Sequence, residues 1–349
     1  MQMKLKRKDS IQLIERLSMY ISAGLALDKV LEMLFEGFSL RQKRQRAAVA
    51  GMRAVIESGG SLSAALERYA NIPPAAIGLI AHGESSEGLA RALRSVHALM
   101  EREDELKKKV FSAMTYPLVI GLFAGGLTIG LVRGVMPQII PMLKGLHAQL
   151  PLLTRVVMKL SDGLMSYGLS ILAGFIPGAI AGRFAYRRWR AIRRLCQSLW
   201  LRIPIIGGLI NECSLAVFLR SFGSLVESGV AVPRAYENTA RSVSLEPLKG
   251  LLRSKISAIT HGVPVGAVLK GKGIPTYIPG LLSAGEASGT LGASILRAAE
   301  ILDRDIEHSL KRLTAMVEPV MMAGMGCVVG AIALSIMMPI YDISKVLQK

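Results

Sequence analysis

Apolar residues recur at helical spacing through most of the chain, as with Ile14, Leu17 and Ile21, or Leu215, Phe218, Leu219 and Phe222. Each such stripe predicts a helix with one face turned to a core. Clusters of glycine, proline and serine interrupt the stripes around Ser58 to Ser61, Asn71 to Pro74 and Gly83 to Gly88, and again at matching places in the second half. These are helix-ending signals. No segment alternates with the period of two that marks a half-buried strand. The pattern therefore predicts bundles of five or six short helices. Three stretches depart from it by being apolar on every side. The first runs from Pro117 to Met136 with one charge, Arg133, near its far end; the second from Gly163 to Gly182 and the third from Val320 to Met338 carry none. About 20 apolar residues cross the roughly 30 Å hydrocarbon core, so each predicts a transmembrane helix.

Composition agrees. Of 349 residues, 51% are hydrophobic and 19% charged, and mean hydropathy is +0.41, which excludes a disordered chain and is too apolar for an ordinary soluble one. Aromatics make up 5%, with Trp189 and Trp200 the only tryptophans, too few for a barrel with aromatic girdles. The net charge of +18 is unevenly spread. Residues 1–116 hold 18 Lys+Arg against 13 Asp+Glu and residues 183–316 hold 19 against 9, whereas 117–182 hold 4 and 1, and the end from 317 holds 2 and 2. Lys107 to Lys109 precede the first span, and Arg183, Arg187, Arg188, Arg190, Arg193 and Arg194 follow the second. The positive-inside rule then places both large blocks and the N-terminus in the cytoplasm. A basic start, Lys4, Lys6, Arg7 and Lys8, without an apolar run or cleavage site predicts no removed signal peptide. Arg133 is expected to snorkel to the outer interface. Topology and anionic lipid account for the excess charge, and no nucleic-acid module is present.

The two blocks repeat one another. Ser22 to Leu34 (SAGLALDKVLEML) matches Glu227 to Thr239 (ESGVAVPRAYENT), with Gly24 and Gly229 in register. Gly59 and Leu66 match Gly262 and Leu269, and Pro73 to Leu89 (PPAAIGLIAHGESSEGL) matches Pro275 to Leu291 (PTYIPGLLSAGEASGTL) without a gap. Tyr116-Pro117 falls on Glu318-Pro319. The offset drifts only from 205 to 202, which points to duplication. The expected organisation is all-α: a cytoplasmic helical domain at 1–116, a transmembrane helix at 117–136, a periplasmic connector at 137–162, a second transmembrane helix at 163–182, a second cytoplasmic helical domain at 183–316, a third transmembrane helix at 317–338 and a short periplasmic tail at 339–349.

With the duplicated GESSEGL (Gly83 to Leu89) and GEASGTL (Gly285 to Leu291), each set before a span that opens with proline, the sequence resembles the inner-membrane platform proteins of type IV pilus and type II secretion systems. The resemblance runs from about Ile11 to Ile340 and includes the glycine-bearing start of each copy, the three-span layout, and Pro137, Pro141, Pro151 and Thr154 of the connector. Two departures stand out: Glu87 where the family has glycine, shifting the glycine to Gly88, and Tyr116 where the second copy has Glu318. The chain is also short for the family, which favours a type IVb or conjugative thin-pilus branch. The resemblance implies a non-enzymatic protein of the bacterial inner membrane that couples a cytoplasmic hexameric assembly ATPase to insertion of pilin or pilin-like subunits into a growing fibre. Further implied partners are other inner-membrane basal proteins, lipids and further copies of the chain in a homo-oligomer. A type II secretion platform is the alternative, and a small-solute transporter a more distant one.

The motifs also have readings of their own. In each GE turn the glycine suits a helix C-terminus, Ser86 or Ser288 suits a cap for the next helix, and Glu84 or Glu286 is then expected near that helix's positive end. Gly83, Glu84, Gly88 and Leu89, with Gly285, Glu286, Gly289 and Leu291, are thus candidates for a junction that only stabilises the fold or for a surface that partners read. Gly266 to Lys272 (GAVLKGK) fits G-x-x-x-x-G-K, but Gly273 stands where a Mg²⁺-binding hydroxyl belongs and Pro275 follows, so no phosphate loop is expected. The histidines 82, 97, 147, 261 and 308 fall on separate segments, and Cys196, Cys213 and Cys327 form no framework. No catalytic centre, metal or cofactor is expected. Small residues recur along the spans: Gly121, Gly125 and Gly130 in the first, Gly174 and Gly178 in the second, Gly326 and Gly330 in the third. They predict close helix packing within or between protomers.

Overall fold

The computed structural model describes residues 4–39, 42–86, 88–134, 177–178, 182, 184, 190–203 and 206–347. The second span (163–182) and the connector prolines thus lie almost wholly outside the described residues, as does Glu87. The described elements are all helical: α1 (Arg7–Ser22), α2 (Leu27–Gly37), α3 (Lys43–Glu57), α4 (Leu62–Tyr69), α5 (Pro74–Ser85), α6 (Leu89–Gly134), α7 (Arg190–Arg202), α8 (Ile206–Glu227), α9 (Val232–Ser242), α10 (Glu246–Ser254), α11 (Ile256–Thr260), α12 (Val265–Val268), α13 (Tyr277–Ala287) and α14 (Leu291–Leu347). The chain is an all-α polytopic membrane protein built from two homologous helical copies.

The duplication is visible element by element. Subtracting the sequence offsets lays α9 on α2, α10 and α11 together on α3, and α13 on α5. Turns repeat as closely. Gly24 (φ 84°) and Gly229 (φ 88°) end α1 and α8, and Gly59 (φ 83°) and Gly262 (φ 81°) end α3 and α11. These are left-handed positions, where a Cβ would be strained, so glycine recurs at both. The amide of the following residue closes each turn, Leu25 to the Tyr20 carbonyl at 3.3 Å and Val230 to that of Leu225 at 3.0 Å.

One compact unit comprises residues 1–109 and 196–309 and holds both copies; the other comprises 110–195 and 310–349. In the first unit the core of the first copy includes Leu13, Leu17 and Leu31, all buried. Their counterparts are Phe218, Phe222 and Tyr236, equally buried. Tyr236 meets both phenylalanine rings edge-on with centroids 5.6 Å apart, a favoured aromatic geometry. Its hydroxyl donates to the Leu252 carbonyl at 3.1 Å, and burial pushes its pKa up. The copies also touch: α5 packs on α8 and α9.

Three described helices are long and apolar enough to cross a membrane: those containing 89–130, 206–227 and 291–331. More than half of the apolar window of α8 is buried inside the bundle, whereas the windows of α6 and α14 have no buried residues. In α8 the apolar length fills a core. The apolar parts of α6 and α14 coincide with the first and third spans read from the sequence, and both belong to the second unit. There Leu118, Leu122, Phe123, Val320 and Met322 are exposed, as lipid-facing side chains must be. Pro117 lies inside α6 and withholds a donor from the Ala113 carbonyl.

In each copy an ion pair ties the first long helix to the last, though at different positions: Arg7 to Glu103, and Arg220 to Asp303. Burial raises the Asp303 pKa despite the nearby Arg220 guanidinium. A carboxyl whose folded pKa exceeds its unfolded value of about 3.9 favours folding at low pH, and that contribution is lost as pH rises through the raised value. The melting temperature of the wild type in detergent, relative to Asp303→Asn, should therefore fall across this window. A relative rise would mean that the attraction of Arg220 outweighs burial.

Candidate functional site

The two GE turns occupy the same place in each copy. Helix α5 ends where the Gly88 amide donates to the Gly83 carbonyl at 3.0 Å, and α13 ends where the Thr290 amide donates to the Gly285 carbonyl at 2.8 Å. In the second copy Gly289 (φ 72°) makes the left-handed step. Leu89 and Leu291 open α6 and α14, both half-buried.

The glycines are buried because the next helix crosses on them. A Cβ at Gly83 would lie 2.4 Å from the Ala92 Cβ, and one at Gly285 would lie 2.4 Å from the Ser294 Cβ. The contacts are counterparts 202 residues apart, and a separation this short cannot be accommodated without moving a backbone. Only glycine lets α5 meet α6, and α13 meet α14, at this distance.

The glutamates do something that sequence reasoning missed. They were expected beside the helix that follows; each reaches back instead to a short helix that precedes it. The Glu84 carboxylate accepts from the Leu62 amide at 2.5 Å and the Ser63 amide at 3.0 Å, at the start of α4. Ser61 completes that cap by accepting from the Ala64 amide at 3.2 Å. Glu286 accepts from the Val265 amide at 2.9 Å, at the start of α12. A carboxylate there satisfies orphan donors and faces the positive end of the helix dipole. The serines also differ from expectation. Ser86 does not cap the next helix; its hydroxyl donates back to the His82 carbonyl at 2.8 Å. Ser288 donates to the Gly285 carbonyl at 3.3 Å and shares a 2.7 Å bond with Thr290. The signal for the back-reach lay in the paired spacing, since Glu84 and Glu286 each stand 21 residues after a capped amide.

The copies differ in exposure. Glu84 is half-buried and Glu286 exposed; Gly88 is half-buried and Gly289 exposed. The second turn thus presents more of its polar surface to solvent.

The GAVLKGK segment is not a phosphate cradle. Gly266 is wedged against Ser283 and the Pro279 carbonyl, and the Lys255 ammonium donates to the carbonyls of Val268 at 2.5 Å and Lys270 at 2.8 Å. Carbonyls turned toward a cation have the wrong polarity for a phosphate, which needs converging N–H groups. Burial lowers the Lys255 pKa. A polar cleft in the first unit is lined by Arg102, Lys109, Arg220, Glu105, Asp303 and Glu307. Its charges are matched within the protein, Arg102 with Glu105, Lys109 with Glu307 and Arg220 with Asp303. Among the described residues no cluster of His, Cys, Asp or Glu is arranged to hold a metal.

In the second unit, a Cβ at Gly121 would lie 3.8 Å from the Met321 terminal methyl, so the first and third spans meet there. Cβ atoms at Gly125, Gly130, Gly178, Gly326 and Gly330 would have no described neighbour within 4 Å. Gly174 lies outside the described residues.

A family model described as "Type II secretion system (T2SS), protein F" matches residues 13–137 and 218–339, one match to each copy with its following span. The chain belongs to the type II secretion system protein F family. Among curated relatives, a type IV pilus assembly protein PilC from Thermus thermophilus is 29% identical over 341 residues, covering 96% of this chain and 82% of the relative. A PilC from Myxococcus xanthus is 25% identical, covering 98% and 82%, and a type II secretion system protein F from Xanthomonas campestris is 27% identical, covering 96% and 82%. Both matched segments of the protein F family include one GE turn.

Replacing the capping carboxylates should cost unequal amounts, because Glu84 accepts two amides and Glu286 one. Glu84→Ala is expected to lower unfolding stability by about 2 kcal/mol and Glu286→Ala by about 1 kcal/mol. Gly83→Ala, which overpacks the crossing, is expected to cost about 1–3 kcal/mol. Chemical unfolding of the purified protein followed by circular dichroism measures all three; equal losses for the two glutamates would contradict the capping assignment.

Proposed function

We propose that this protein is a non-enzymatic inner-membrane platform of a type IV pilus, in the type IVb-like form that its sequence resembles, coupling a cytoplasmic assembly ATPase to insertion of pilin subunits into the growing fibre. The observation that carries this reading is the duplicated helical copy, each with an internally closed GE junction and each continuing through one helix into an apolar span. A force-transmitting part needs such continuity: displacement of a bundle by a partner reaches the bilayer without crossing a loop. Near-full-length similarity to proteins named for pilus assembly and for type II secretion supports the class of machine. Both GE turns use their glycine and carboxylate inward, so we assign them to holding the bundle rigid, while the exposed Glu286 and Gly289 leave the second turn as the better partner surface.

Affinity purification of the tagged full-length protein from detergent-solubilised native membranes, followed by mass spectrometry, tests the reading. Recovery of a secretion-type ATPase with a pilin-like major subunit is expected. Recovery of an ATPase with secreted cargo would move the protein to type II secretion, and recovery of neither by folded protein would overturn the platform reading.

We further infer that the N-terminus and both copies lie in the cytoplasm, on the strength of the basic residues beside the spans. In a variant lacking the three native cysteines, a single cysteine replacing Ser58 should resist a membrane-impermeant maleimide in spheroplasts and react after lysis. Labelling in intact spheroplasts would reverse the orientation.

A further inference from the structure

The contact between the two copies is not reciprocal. Helix α5 of the first copy packs on α8 and α9 of the second. A Cβ at Gly78 of α5 would come 3.5 Å from the Asn238 side-chain Nδ2, and one at Gly229, between α8 and α9, would come 3.9 Å from the His82 ring. Under a two-fold relation, α13 would pack in the same way on α1 and α2. Among the described residues it makes no comparable contact with either helix.

Among the described residues both counterpart surfaces are consequently bare. Gly280 and Gly24, the counterparts of Gly78 and Gly229, have no described neighbour within 4 Å of a built Cβ. Ala284 is exposed where its counterpart His82 is half-buried. Across the α1–α2 junction Met19 and Leu25 are 59% and 37% exposed, where the second copy has half-buried Ser224 and Val230, and Met33 is exposed like its counterpart Asn238. Among the described residues the chain thus carries one filled α5-type contact and the two unfilled halves of another, built on the same duplicated fold.

We propose that protomers assemble head to tail, with α13 of one seated on the α1–α2 face of the next, repeating between chains the contact that α5 makes on α8 and α9 within one. The occupant is a second copy because the surface that fits each bare half is the other half. Met19, Leu25 and Met33, with the internally paired Lys29 and Glu32 among them, form one side, and Gly280, Leu281 and Ala284 the other. A heterologous contact of this kind closes into a ring or continues as an open array; a platform lying in one membrane fits the ring. The inference deepens the homo-oligomer expected of a platform, but its test reads geometry alone and stands or falls separately from the choice of machine.

Two differently tagged full-length proteins, each with Cys196→Ser, Cys213→Ala and Cys327→Ser, carry Met33→Cys or Gly280→Cys and are expressed together or singly. Membranes are treated with a short bismaleimide. The expected result is a mixed cross-linked dimer in the co-expressing cells and no dimer from either variant alone. A third protein carrying Gly78→Cys with Asn238→Cys in one chain serves as the internal reference, since it must cross-link within the protomer. Absence of the mixed dimer while that reference reacts would overturn the proposal, as would self-dimers of Met33→Cys, which mark a two-fold contact instead. Leu25→Glu with Met33→Glu, both at exposed positions, should reduce the detergent-solubilised oligomer to smaller species while leaving the melting temperature within a few degrees of wild type. An unchanged oligomer would count against the interface.

Discussion

Helix crossing at two buried glycines is the constraint on which the bundle depends. At Gly83 and Gly285 the incoming helix, α6 or α14, passes so close that no side chain fits between the backbones. Each of those helices continues along the chain into an apolar span. The neighbouring carboxylate locks the same junction from the other side by holding the start of α4 or α12. Three helices that follow one another within about 30 residues are thereby fixed by two adjacent residues. Charge-assisted bonds to backbone amides suit the task because they are directional and satisfy donors that a helix start leaves open.

Duplication supplied the same junction twice, and the copies then diverged around it. Where the first core has Leu13, Leu17 and Leu31, the second has the aromatic trio Phe218, Phe222 and Tyr236. The ion pairs linking first and last helices moved to different positions. The counterpart of α3 broke into α10 and α11, and that of α4 shortened to α12. What stayed constant is the set of positions where backbone geometry leaves no choice, the left-handed glycines at 24 and 229 and at 59 and 262, and the crossing glycines.

The pair of copies is not packed symmetrically. With α5 covered by the second copy and α13 left open, the chain has a polarity that a two-fold dimer of domains would lack. Such polarity is useful to an assembly that must act in one direction, since identical ends cannot distinguish a driven side from a responding one.

Much of this was legible from the residues. Helical spacing, the absence of alternation and the offset repeat specify an all-α duplicated protein, because periodicity and turn glycines are local properties that the chain writes directly. The apolar parts of α6 and α14 were readable for the same reason, as uninterrupted length is enough to cross a bilayer. Tertiary structure decided the rest. Helix α8 has the length and hydropathy of a span, yet its apolar residues are spent on a core, which only its neighbours reveal. Glu84 and Glu286 were placed by sequence beside the next helix, the nearest positive end along the chain; in space the nearer one belongs to a helix 21 residues back. The non-reciprocal packing of α5 and α13 could not be read in the same way, because it depends on how one copy sits on the other, which covers α5 and leaves α13 open among the described residues.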